Sequence, residues 1–347
     1  SFMTPLFIFY SLADKPRTYF YIILLGIFLI EVFRKGRYIK MPVLKEGRFL
    51  SVSFVLLSAV AVSAWLVLSG GINNFNLDLT RVYEFRRDTG EIINVGLMGY
   101  VNTWTFKVFG PFLLAVALWK KHYLAALSVI FMHVFWFGVS AHKAVLFYPF
   151  LVLFVWWWFT ETRALSFIPI AMAGVVLISL FLAMVLDYTL IASLFIRRVF
   201  FVISNNTFYY YEFFSQNEFV YWSYSITSSF IDYPYHLNPA RLIGESRGTD
   251  AHVNNSFLST GFMHAGIVGL IFYCFLVGLL FRIIDFVSRV GIPPWVAVAV
   301  LFIPIRTLLL SADLPTALLT HGIGISVLLL LLLRNSRDNK LSNSLTY

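Results

Sequence analysis

The chain has 347 residues, of which 59% are hydrophobic, 18% aromatic and only 12% charged, with a formal net charge of +9. A soluble domain carries about 25% charged residues, so half that fraction cannot cover a water-facing surface. Soluble globular, disordered and coiled-coil classes are excluded together. The one cysteine, Cys274, excludes an internal disulfide and a cysteine metal cluster.

A membrane-spanning helix needs about 17–25 mostly apolar residues. Nine runs read as spans: about 19–33, 52–70, 101–118, 123–139, 143–159, 166–187, 257–281, 295–311 and 317–333. Residues 1–12 read as the outer part of a tenth helix whose start is missing. No basic stretch precedes them, so no signal peptide is expected. Strands of a membrane barrel alternate apolar and polar residues, whereas the run from Val327 to Leu333 is apolar throughout. The expected fold is all-α: a polytopic integral membrane protein of about ten transmembrane helices, forming a single membrane domain over 1–347.

Lys and Arg collect in 34–48, 119–122, 160–165, 282–294 and the tail, where acids are few. These segments alternate along the span order, so all can lie on the cytoplasmic side. The two long loops, about 71–100 and 188–256, then share the opposite side, and in each the acids outnumber the bases. Topology accounts for the whole positive charge. Nucleic acid drops out as a partner, and the lipid bilayer takes its place.

Loops this long are usually functional or disordered. The second is too aromatic for disorder, with the run Phe208, Tyr209, Tyr210, Tyr211, Phe213 and Phe214 at its centre. That run suits either an amphipathic helix in the interface or a floor for stacking sugar rings. The loops carry Arg81, Arg86, Arg87, Arg197, Arg198, Arg241 and Arg247 but no lysine. A guanidinium stays charged and offers a planar fork to phosphate oxygens. The competing role is salt bridging within the loops, with Glu84, Asp88, Glu212 and Glu245 as partners.

Elsewhere, Arg306 lies inside the run 295–311, where charge is expensive and usually functional. Asp313 is its expected partner. Lys143 follows Ser140, Ala141 and His142 at a tight outer turn, where it either acts on substrate or snorkels. His133, His264 and His321 fall in spans and read as hydrogen-bonded helix contacts. No His pair has metal-ligand spacing, no carboxylate pair suits Mg²⁺, and no phosphate-binding Gly loop occurs. Neither metal nor cofactor is expected.

Several patches together resemble the bacterial O-antigen polymerases, the oligosaccharide repeat-unit polymerase family. The first loop has Arg81-Val-Tyr83-Glu-Phe-Arg86, followed by Gly99-Tyr100, Trp104 and Gly110-Pro111. His142-Lys143 stands at an outer turn. The second loop has Arg198-Val-Phe-Phe201, then Tyr209-Tyr-Tyr-Glu-Phe-Phe214. Asn254-Asn255-Ser-Phe precedes Gly266-Ile-Val-Gly269. The resemblance runs from roughly residue 70 onward, and the order of patches is more specific than any one of them.

The resemblance implies a metal-independent glycosyltransferase of the bacterial inner membrane with its active site facing the periplasm. It would polymerise undecaprenyl-diphosphate-linked oligosaccharides for O-antigen, capsule or exopolysaccharide, and a chain-length regulator is a further partner of that reading. Arg86, Arg198, Arg241 and His252 are then the expected catalytic residues. Arg81, Tyr83, Lys143, Asn254, Asn255 and Arg306 are the expected substrate-binding residues. Arg86, Arg198 and Arg241 should point into one cavity formed by the two loops. The related O-antigen ligases carry His-Asn/Ser/Gln-x9-Gly-x2-Gly. Here Asn255-Ser256-x9-Gly266-x2-Gly269 has Asn in place of the His, which favours polymerase over ligase. The alternatives are a ligase, another lipid-linked-sugar glycosyltransferase, a flippase or transporter, and a structural membrane subunit.

Overall fold

The computed structural model describes residues 3–13, 15–36, 43–79, 81–162, 166–289 and 291–334. Most of the described residues are helical, and no strand occurs among them. Seven helices are long and apolar enough to cross a membrane: Gly47–Leu68, Met98–Trp119, Tyr123–Ser140, Lys143–Thr162, Phe167–Leu186, Phe257–Ser288 and Leu314–Leu333. Pro294–Leu310 is apolar but shorter. Arg17–Arg34 carries Arg17, Glu31 and Arg34 near its ends. The chain is an all-α polytopic membrane protein. Helices are the obligate solution here, because each satisfies its own backbone polar groups where lipid offers no partner.

The run 257–281 is not one continuous helix. Ala265 (φ −154°) and Gly266 (φ 59°, ψ −142°) break Phe257–Arg289 into 257–264 and 267–289. A side chain would be strained at Gly266, because positive φ is open mainly to glycine. Gly261 meets the backbone of Gly269 and Leu270 at 3.0 Å from where its Cβ would stand. In a straight helix residues 261 and 269 would be about 12 Å apart along the axis, so the two pieces fold back on each other. A sequence run of uniform hydropathy hides this reversal, since apolarity says nothing about direction.

The chain forms two compact units. The first comprises residues 1–36, 164–282 and 308–315. Its core is aromatic: Tyr19 stacks on Tyr211 (4.2 Å between ring centroids, 17° between planes) and meets Phe208 and Phe262 edge-on. The run Phe208 to Phe214 lies on the helix Val202–Phe214, with Phe208, Tyr210 and Phe214 buried. These rings build a core, which rules out the sugar-stacking floor for them. The helix Phe167–Leu186 in the same unit leaves most of its apolar side chains exposed, as a lipid-facing helix does.

The second unit comprises residues 37–163, 283–307 and 316–347. Met98–Trp119 is its central helix, with Val108, Phe109, Phe112, Leu114 and Ala115 buried. Trp136 is fully buried beside it, and its indole N–H donates to Ser63 Oγ at 2.9 Å. A π-turn at Thr105–Phe109 interrupts the α-helical hydrogen bonding of this central helix.

Candidate functional site

The first unit gathers four of the expected residues near the end of the second loop. Asn238 caps the short helix Pro239–Glu245: its side chain accepts from Arg241 N–H at 3.1 Å, and Pro239 supplies the preset first position. The chain then turns back through Gly248 (φ 69°), with Thr249 N–H donating to Gly244 O at 3.1 Å. Val253 N–H closes the excursion on Ala240 O at 2.9 Å. This closure lays His252 beside Arg241, whose Nε–H donates to His252 Nε2 at 3.0 Å. Both side chains are exposed. The donation occupies the lone pair of Nε2, which places the ring proton on Nδ1.

The aromatic helix holds this segment from behind. Tyr210 O–H donates to Val253 O at 3.0 Å, and Asn206 Nδ2 donates to Asn254 O at 2.7 Å. Burial pushes the Tyr210 hydroxyl well above its ordinary pKa, which keeps it a donor. Asn255 is buried with its Nδ2 lacking a partner. Asn254 is exposed. Arg198 is exposed on Ala192–Phe201, and no carboxylate among the described residues pairs with it. Salt bridging does hold for Arg247, which bonds Glu212 and covers the Tyr209 ring at 4.0 Å. Lys15 reaches the same Glu212 at 3.0 Å. A cleft of about 280 Å³ in this unit is lined by Asn217, Glu218, Phe219, Val220, Tyr221, Ile231, Asp232 and Pro234.

A second constellation in the same unit is closed. At the break after 264, Val220 N–H and Tyr221 N–H donate to Met263 O and His264 O, both at 3.0 Å. These carbonyls would otherwise be orphaned by the helix end. Trp222 N–H donates to His264 Nδ1 at 3.1 Å, so His264 carries its proton on Nε2 and donates to Asp313 Oδ2 at 2.9 Å. Tyr273 O–H donates to Asp313 Oδ1 at 2.8 Å and accepts from Trp222 Nε1–H at 2.7 Å. Leu314 N–H adds a bond to Oδ1 at 2.9 Å. Trp222 also stacks on the His264 ring (4.8 Å, 16°). Burial alone would raise the Asp313 pKa; the bonds from His264, Tyr273 and Leu314 outweigh it and hold the carboxyl below its ordinary value of 3.8. The expected Arg306–Asp313 pair is thereby corrected: both carboxylate oxygens are taken by His264, Tyr273 and the Leu314 N–H. His264, as expected, is a hydrogen-bonded helix contact.

The remaining expected residues belong to the second unit. Arg81 precedes the helix Val82–Ile93 and is exposed. Tyr83 and Arg86 lie on that helix, and their side chains fall outside the described residues. Of the three arginines expected to share a cavity, the side chains of Arg198 and Arg241 are described, both exposed and both in the first unit. Lys143 starts the helix Lys143–Trp157, half-buried, just after Ala141 turns the chain at φ 52°. Arg306 is exposed.

Lys107 is a further charged residue within a span. It sits on the π-turn in the middle of the central span, with its Nζ 3.0 Å from His321 Nδ1. The signal was available: a lone lysine inside the run 101–118 carries the same cost as Arg306. Among the described residues no group of His, Cys, Asp and Glu could hold a metal ion. No family model, no curated protein and no solved structure matches this chain.

Proposed function

We propose that this membrane protein is a glycosyltransferase that joins lipid-diphosphate-linked oligosaccharide repeat units, with the loop 188–256 carrying the chemistry. The observation that carries the reading is the Arg241–His252 contact, which puts a forked cation against an imidazole on an exposed rim. The resemblance to the repeat-unit polymerases supplies the substrate. The charge distribution favours an orientation with the basic segments cytoplasmic and both long loops on the opposite side; the resemblance makes that side the periplasm of a bacterial inner membrane.

In the proposed step, a hydroxyl of the acceptor sugar attacks the anomeric carbon of the donor glycan. A new C–O bond forms, and the bond from that carbon to the undecaprenyl diphosphate breaks. Arg241 swings from His252 to the departing diphosphate and neutralises its charge. That movement bares His252 Nε2, which takes the hydroxyl proton. One rearrangement thus serves both the leaving group and the base. Arg198, exposed and without a carboxylate partner among the described residues, is the second cation for the diphosphate. Asn254 and Asn255, on the same segment, are proposed substrate contacts.

The test is turnover of purified lipid-linked repeat units by the purified chain, in the presence of EDTA. Polymer ladders from the unaltered protein and their loss with Arg241→Ala are expected. Dependence on a divalent metal, or full activity of the Arg198→Ala/Arg241→Ala double variant, would overturn the reading.

A further inference from the structure

The cleft of about 280 Å³ in the loop 188–256 has two walls. One runs from Asn217 to Tyr221, and the other is formed by Ile231, Asp232 and Pro234. Both are held in place. Asn217 Nδ2 donates to Phe213 O at 2.8 Å, which hangs the first wall from the end of the helix Val202–Phe214. The far end of that wall is fixed by the bonds from Val220 N–H and Tyr221 N–H to the carbonyls of Met263 and His264. Tyr221 (φ 48°) and Trp222 (φ 60°) are aromatic residues in the left-handed region, a conformation that persists where the surroundings over-determine it. Tyr235 O–H donates to Glu218 O at 2.5 Å and so joins the second wall to the first. A site on fixed walls binds with little ordering cost.

The lining combines hydrogen-bonding groups of both kinds with an aromatic surface. Glu218 and Asp232 are exposed carboxylates, and neither makes an ion pair among the described residues. Asn217 spends one amide hydrogen on Phe213 O and keeps the other. Phe219 rests edge-on against Tyr221 (6.2 Å between centroids, 84° between planes) and Phe262 (6.0 Å, 87°), while Tyr221 is exposed. The rings therefore make one platform and no cage. A cation would use acceptors only, and an organic one is best held by ring faces around it. A metal ion lacks its ligand set, since no group of three His, Cys, Asp or Glu occurs among the described residues. A sugar ring uses everything present: each hydroxyl both donates and accepts, and the C–H faces of the ring are apolar.

We infer that this cleft binds one sugar ring of a glycan. Glu218 and Asp232 accept from its hydroxyls, Asn217 donates to one of its oxygens, and its apolar face lies on Tyr221. Small-molecule pockets run from about 300 to 1,000 Å³, so a cleft at the lower end takes a single ring and leaves the neighbouring sugars in water. The site stands on the cleft alone and holds whether or not the chain transfers glycosyl groups.

The experiment uses the full chain in phosphatidylcholine nanodiscs, labelled and applied to an array of bacterial glycans, followed by calorimetric titration of the best-bound glycan in soluble form. Choline and calcium chloride are titrated as the competing cations. Losing a hydrogen bond to a charged group should weaken glycan binding about 10- to 150-fold, so Glu218→Ala and Asp232→Ala should each shift the affinity by that much. Tyr221→Ala removes the platform and should cost about 2- to 10-fold. Glu218→Gln and Asp232→Asn take the place of an alanine variant that fails to fold. No glycan bound on the array, affinities unchanged in the Glu218 and Asp232 variants, or choline or calcium bound there in place of a glycan would overturn the assignment.

Discussion

Two histidines of the first unit, each bonded to a charged side chain, make opposite uses of that bond. His264 is buried, and both of its ring nitrogens are engaged, one by Trp222 N–H and one by Asp313. His252 is exposed and has one bond, from Arg241. A closed network specifies geometry, because opening any link leaves a buried polar group unpaired. An open pair can exchange its bond for one to a ligand at little cost. The His264 network ties the loop 220–222 to the reversed helix and to Asp313. The His252 pair is left on the rim for chemistry.

The largest expected effect falls on the closed network. Asp313→Ala orphans three donors, from His264, Tyr273 and Leu314, at about 1–3 kcal/mol each. Folded yield in detergent should collapse; a thermal midpoint equal to the unaltered chain's would mean the network is not closed.

On the open pair, His252→Ala should reduce turnover about 10²–10⁴-fold if His252 is the base while leaving the thermal midpoint unchanged. A small kinetic defect would point to late proton loss without a base. Arg241→Lys keeps the charge but loses the fork, and about 2–4 kcal/mol of transition-state stabilisation should go with it. That corresponds to roughly 30- to 1,000-fold in rate. Equal turnover for Lys and Arg would reduce Arg241 to a point charge.

Acid acts on the closed network through its carboxylate. The Asp313 carboxyl lies below its ordinary value of 3.8 in the fold. Its stabilising contribution is therefore complete at neutral pH and is lost as pH falls below about 4, through its folded value. Thermal midpoints measured downward from pH 5 should drop less in Asp313→Asn than in the unaltered protein. Parallel curves would remove Asp313 from the acid response. The smallest effect is reserved for the rim: Arg247→Ala breaks a half-exposed ion pair with Glu212, a loss under about 1 kcal/mol. A large activity loss there would move Arg247 into the site.

The sequence by itself determined the membrane class and the all-helical fold, because apolarity over about 20 residues is a local property that lipid makes decisive. It also singled out Arg241 and His252, separately, from residue type and loop position. Their contact was decided by tertiary structure, through a turn that a backbone bond from Val253 to Ala240 closes. The reversal at Gly266 was equally invisible, since a hydropathy run reads the same in a straight helix and a folded one. Asp313 meets His264 across 49 positions and Lys107 meets His321 across 214. Such pairings follow from how helices pack side by side, and spacing along the chain carries no record of them.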